Sequence, residues 1–184
     1  YMLLGPQDVA GETIPVLVVR EAVSKMTLSA AVPRKTVGTF VAKRVLAFME
    51  EVGCLHGDVV VKSDQEPAII DVLNEVSRRR QARSFVEQSP VGSSASNGIA
   101  ERAVQSVEGN VRTIRDALQQ RLKIEIPSDQ AIIAWMVEYA SVLLNRYEVG
   151  RDGKTAYERL RGRKSKLLGI EFGELVHFRR TPLG

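Results

Sequence analysis

The 184-residue sequence predicts a layered α/β domain, a mixed five-stranded sheet covered by helices on both faces. Three observations predict it. Short β-branched runs separated by turn residues fill the first 32 positions. A strand–helix–strand passage follows, and two long stretches of helical spacing close the body. The length favours one domain, and 44% apolar with 26% charged residues is an ordinary globular mix, which excludes a disordered or fibrous chain.

Tyr1 to Leu4 is a short apolar segment ended by Gly5-Pro6. Residues 14–20, Ile-Pro-Val-Leu-Val-Val-Arg, read as a buried strand, and Met26 to Val32 as a third strand closed by Pro33. The three form an antiparallel meander, with the first turn around Gln7 to Glu12. From Val37 to Val52 the spacing is helical (Val37, Phe40, Val41, Leu46, Phe48, Met49, Val52), and Gly53 stands where a C′ glycine ends a helix. Asp58 to Lys62 is a compact buried strand, Ala68 to Val76 a helix opening near Pro67, and Arg83 to Val86 a short fifth strand. Ser89 to Gly98 is small, polar and without apolar period, hence a loop. Long helices are expected from about Ile99 to Leu122 and from about Asp129 to Asn145. The second, with Ile132, Ile133, Trp135, Met136 and Tyr139, reads as core, a share of it serving self-association.

Composition removes several function classes. One cysteine, Cys54, excludes a disulfide framework, and with only His56 and His177 beside it a zinc finger is excluded too. Cys54 reads as a packing residue. No apolar run approaches the ~20 residues of a membrane-spanning helix. The chain opens on Tyr1, in what reads as the middle of a strand, and is expected to be a piece of something longer. Residues 151–180 hold nine Lys or Arg against four acidic residues, +5, which leaves −1 for the first 150 of the formal +4. A nearly neutral body with a basic extension fits either a solvated tail or a polyanion partner whose counterions are released on binding.

Two carboxylates stand out. Asp64 lies just past the C-terminal end of a buried strand, where open α/β sheets place ligand-binding groups. It also suits the N-cap region of the following helix. Glu101 sits in the first turn expected for the long helix. At ~100° per residue Ile99, Ala103, Val107, Val111, Ile114 and Leu118 make an apolar stripe. Glu101, Gln105, Glu108, Arg112 and Arg115 make a polar sector bordering it. Glu101 therefore fits a dipole-stabilised carboxylate with Arg partners or a group leaning into a cleft. Together the pair makes a divalent-metal site, because carboxylate oxygens are what Mg²⁺ takes.

Ser63-Asp64-Gln65-Glu66-Pro67-Ala68, then 36 residues to Glu101, resembles the second half of the Asp, Asp, Glu signature of retroelement and retroviral integrases. Ser96-Asn97-Gly98-Ile99-Ala100-Glu101-Arg102 is similar to that family's small-residue loop and Asn-Gly-x-x-Glu-Arg segment. Asn145-Arg146 and Gly153-Lys154-Thr155-Ala156-Tyr157-Glu158-Arg159-Leu160 look like the close of the core in long-terminal-repeat retrotransposons, with Ala156 in place of the usual Pro. The resemblance covers nearly the whole chain. It implies a ribonuclease H-like three-layer fold for residues 1–160, and for 161–184 a basic linker and the first strand of a following small β module, Gly169 to Arg180.

The resemblance also implies an activity. Asp64 and Glu101 are then catalytic and metal-binding, holding two Mg²⁺ or Mn²⁺ ions for in-line phosphoryl transfer, both DNA end processing and strand transfer. The family's first Asp is not in Tyr1 to Gly5; it is expected directly before Tyr1, with Asp8 as the alternative. Where viral relatives carry lysines after the Glu, this chain has Gln105 and Glu108, so DNA contact falls to Arg102, Arg112 and Arg115. Asn97 on the loop, which Gly92 and Gly98 let close, and Lys154, Arg161, Arg163 and Lys164 in the basic stretch are the further nucleic-acid candidates. Expected partners are element ends, target DNA and further copies of the full-length protein, with no membrane and no small-molecule cofactor, in the nucleus. Two rivals share the fold: an RNA–DNA hybrid nuclease, and an inactive module kept for nucleic-acid binding or assembly.

Overall fold

The computed structural model describes residues 2–4, 14–32, 39–63, 66–88, 94–167 and 169–177; for 2–4, 88 and 94–97 it describes the backbone alone. The first hairpin turn, with Asp8, lies outside them. β1 (Met2–Leu4), β2 (Ile14–Arg20) and β3 (Thr27–Ala31) pair antiparallel in that order, Val16 standing opposite Met2 on one side and Ala31 on the other. Pro15, which has no N–H to give, sits near the start of its strand. The β2–β3 turn is held by the Glu21 carboxylate, which accepts from the backbone N–H of Val23 (2.7 Å) and Ser24 (2.6 Å).

α1 (Thr39–Glu51) ends at Gly53, whose φ of +79° is the left-handed stop expected there. β4 (Val59–Ser63) and β5 (Ser84–Gln88) pair in parallel, and α2 (Pro67–Arg79), with Pro67 in its first turn, is the crossover. Arg80 closes that unit. Its buried guanidinium donates to the carbonyls of Cys54 (2.9 Å), Leu55 (3.2 Å) and Gly57 and to Ser84 Oγ, tying the turn before β4 to the start of β5. α3 (Ser94–Leu122) and α4 (Ala131–Arg146) are the two long helices. α5 (Ala156–Arg161) is a short one that the sequence reading passed over, although Thr155 and Glu158 form a capping box and Gly162, at φ +67°, ends it.

Strand alternation builds the layers. On β2, Val16 faces a cluster made by Val107, Val111, Ile114 and Leu118 of α3 and Ile133, Met136, Val137, Ala140 and Leu144 of α4. Its neighbour Leu17 points the other way, to Val41, Val45 and Met49 of α1 and Val72 and Val76 of α2. Helices thus cover both faces, as expected. α4 is pinned to the edge strand: Asn145 Oδ1 accepts from Thr27 N–H (2.8 Å), its Nδ2 donates to Thr27 O (2.7 Å), and Ser29 Oγ donates to the Val137 carbonyl (2.5 Å).

Four expectations change. Among the described residues the strands form two sheets, β1-β2-β3 and β4-β5, rather than one of five strands. β1 contributes a ladder of only three residues, and the sheets are joined through helices: α3 packs on both β2 and β4, and the α1–α2 cluster takes in Leu17 of β2 and Val59 of β4. α3 begins at Ser94, so the second half of the expected loop, with Asn97 and Gly98, is helical. Trp135 and Phe40 are not core; they stand 69% and 51% exposed, because their helices present other stripes to the sheet. Residues 169–177 form no strand and run instead as an irregular strap along α3 and α4.

Candidate active site

β4 delivers the chain to Asp64, which itself lies outside the described residues. The last residue of β4, Ser63, is buried, and its hydroxyl has no hydrogen-bond partner among the described residues. The polar end of this strand is therefore incompletely satisfied, the condition in which a ligand or water completes a buried group.

Glu101 is the eighth residue of α3, two turns in, not in the first turn. The helix-dipole reading weakens accordingly, since that effect fades within the first turn. Its carboxylate is exposed and makes no hydrogen bond or ion pair among the described residues. The expected Arg partners are elsewhere: Arg112 pairs with Glu108 at 3.2 Å, and Arg115, half-buried, keeps an unpartnered Nε. Ala103 and Val107, on the neighbouring stripe, are wholly buried and anchor this stretch of helix. Among the described residues Glu101 thus stands free beside a packed seam, on the helix that lies against β4.

Among the described residues no group of three or more His, Cys, Asp or Glu converges on a metal position. Glu101 nonetheless fits a hard cation in its donor chemistry: an unengaged carboxylate reachable by hydrated Mg²⁺. Cys54 and His56 form no site with it.

The nucleic-acid candidates fall into two groups. Arg102, Arg112 and Arg115 lie on α3 with Glu101, Arg102 exposed and without an ion pair among the described residues. Of Asn97 only the backbone, in α3, is described. Lys154, Arg163 and Lys164 flank α5 and Arg161 is its last residue; Ala156 and Leu160 of this helix pack with Met26, Leu28 and Phe48, a different packing unit from that of α3. All four are exposed, and Arg161 caps the end of α1 by donating to the Glu51 carbonyl at 3.2 Å.

The acids nearest this second group are already engaged. Asp152 is bound by Arg159 (2.6 and 2.8 Å), whose guanidinium holds its carboxyl far below the usual range. Glu158 is lowered chiefly by the Thr155 backbone N–H, in the capping box. Arg159 also donates to the carbonyls of Ser24 (3.2 Å) and Lys154 (2.9 Å) and fills the space a Cβ at Gly150 needs. The sequence reading missed this knot, whose one local signal was the Thr155-x-x-Glu158 box.

No protein-family model and no curated protein matches the sequence. Solved structures do match. The HTLV-2 integrase catalytic core, described in complex with magnesium and in a trimeric form, is 14% identical at a TM-score of 0.53, covering 87% of this chain and 91% of that one. A chain of the simian T-cell lymphotropic virus intasome in complex with the PP2A regulatory subunit B56 gamma is 13% identical at a TM-score of 0.61, over 96% of this chain and 58% of that one. The BIV integrase core is 19% identical over 79% of this chain and 84% of that one, at a TM-score of 0.48. At such identities the HTLV-2 and simian matches show one thing: the chain has the fold of an integrase-like catalytic core.

Proposed function

We propose that this chain is the catalytic core of a retrotransposon-type integrase, a polynucleotidyl transferase that trims element DNA ends and joins them to target DNA. The observation that carries the reading is Glu101, an exposed, unpaired carboxylate on the helix that packs against the strand leading to Asp64, within an integrase-like fold.

Asp64 and Glu101 would hold the metal, Mg²⁺ or Mn²⁺, two ions in the active complex. When bound, the metal supplies activation of the attacking oxygen and stabilisation of the leaving oxygen in an in-line displacement. The chain's own groups do the rest. Carboxylates neutralise a cation without competing for the phosphorus, and Arg102, next to Glu101 in the chain, would donate to a phosphate oxygen. In this reading the free edges of β1 and β4 meet to complete one five-stranded sheet, and the α5 cations steady DNA beyond the site. Self-association uses the cleft of about 450 Å³ between β3, α1 and α4, at whose rim Trp135 stands exposed. The protein acts in the nucleus.

The test is strand transfer by the complete protein with Asp64→Asn and, separately, Glu101→Gln. Each is expected to abolish metal-dependent joining of a labelled DNA end while circular dichroism stays unchanged. Retained joining in either variant refutes the assignment. A wild-type protein that cleaves RNA–DNA hybrids instead, or that binds DNA and joins nothing, moves the reading to one of the two rivals.

A further inference from the structure

The segment after α5 does not run free. The Tyr147 hydroxyl donates to the Leu167 carbonyl (3.0 Å), the Tyr139 hydroxyl to that of Ile170, and Arg121 Nη2 to that of Phe172 (2.8 Å). Three side chains of the body thus read three main-chain oxygens of the strap. One strap side chain enters the body: Phe172 packs against the α3–α4 cluster and meets the Tyr139 ring at 5.4 Å between centroids. Arg121 also pairs with Glu171 at 3.1 Å. At Gly173 the backbone takes φ +74°, and an added Cβ would lie 2.9 Å from the Arg121 guanidinium and 3.0 Å from Leu118. Burial, with Tyr147 and Glu171 nearby, holds the Tyr139 hydroxyl above the usual phenol range, so it stays a donor.

The docking is shallow. Leu167, Ile170, Leu175 and Val176 are exposed, and a cleft of about 230 Å³ remains where Phe172 meets Leu118, Tyr139 and Leu143. With the Arg146 Nη1 bond to Ser165 Oγ (3.2 Å), a single aromatic anchor, three carbonyl contacts and one exposed ion pair make a small junction, of the size that local opening releases while the helices beneath stay folded.

We propose that residues 165–167 and 169–174 form a releasable latch that sets where the chain beyond Glu174 is delivered. Closed, it brings the chain out at the Arg121 end of α3, twenty residues from Glu101 and so about 30 Å along the helix. Open, the twelve peptide steps from Gly162 to Glu174 span up to about 40 Å, and the exit point sweeps freely around the end of α5. The released arm carries Arg163, Lys164 and Lys166, so its opening moves cationic charge as well as the chain that follows.

The experiment uses the 184-residue chain with Cys54→Ser and spin labels at Gln105→Cys and Val176→Cys, read by pulsed dipolar spectroscopy. A single narrow distance is expected without further change. Phe172→Ala is expected to shift most of the population to a broad, longer distribution, and Arg121→Gln and Tyr139→Phe a minor part of it, with the far-UV spectrum unchanged and the melting midpoint shifted by a few degrees at most. A broad distribution in the parent chain overturns the proposal, as does a narrow one that survives all three substitutions. Loss of the helical signal together with the docked distance also overturns it, since the strap would then be part of the core and not a latch.

Discussion

The two sheets are built to different standards. β1-β2-β3 is sandwiched: Val16 and Ala30 are wholly buried, each face of β2 meets a helix pair, and even its outer edge is met by Asn145. β4-β5 has α2 and α3 for company but leaves Val60, Phe85 and Val86 exposed, and it is laced by surface ion pairs, Lys62 to Glu87 (3.1 Å) and Arg83 to Asp58 (3.0 Å). The difference teaches where the stability resides. The first sheet and its helices carry the fold; the second carries the strand that leads to Asp64, and local stability there is the lower of the two.

This contrast can be broken by substitution. Met136, with no exposed surface, lies in the cluster over Val16; Met136→Ala is expected to cost about 2–5 kcal/mol in a denaturant titration, through lost burial and the cavity left behind. Asn145→Leu, which strands the N–H and carbonyl of Thr27, is expected to cost about 2–4 kcal/mol by the same measurement. On the second sheet Phe85→Thr is expected to change stability by under about 1 kcal/mol, and Lys62→Ala by about 0–1 kcal/mol, less at high salt. If Phe85→Thr proves as costly as Met136→Ala, the two sheets are equals and the division of labour is wrong.

Most of the body was legible because its signals are local and periodic. The β-branched run of β2 and the stripe from Ala103 to Leu118 each announce a buried face, and the structure buries Val16 and Leu17 of the one and Ala103, Val107, Val111, Ile114 and Leu118 of the other. The Val-Val-Val of β4, expected to be buried, is not, with Val60 exposed because that strand lies in the more open sheet. The start of α3 was not legible, since Ser94 to Gly98 has the chemistry of a turn, and helix propensity is a weak prior once a long helix is packed. Trp135 deceived for a related reason: in a helix apolar nearly all round, spacing alone does not say which side meets the sheet. The two acids of the candidate site were visible as strand-end and helix residues. The freedom of Glu101 was not, because whether a carboxylate two turns into a helix finds a partner depends on which distant residues the fold brings beside it. The docking of Phe172 left no local trace at all, being a contact between Tyr139, Arg121 and a segment some thirty to fifty residues away.

Asn145 also has a bearing on behaviour in concentrated solution. Rows of open amides and carbonyls along a sheet border recruit neighbouring chains into growing aggregates. At Thr27 both groups are already occupied by the carboxamide, so this border of the protein offers an incoming strand no foothold at that position.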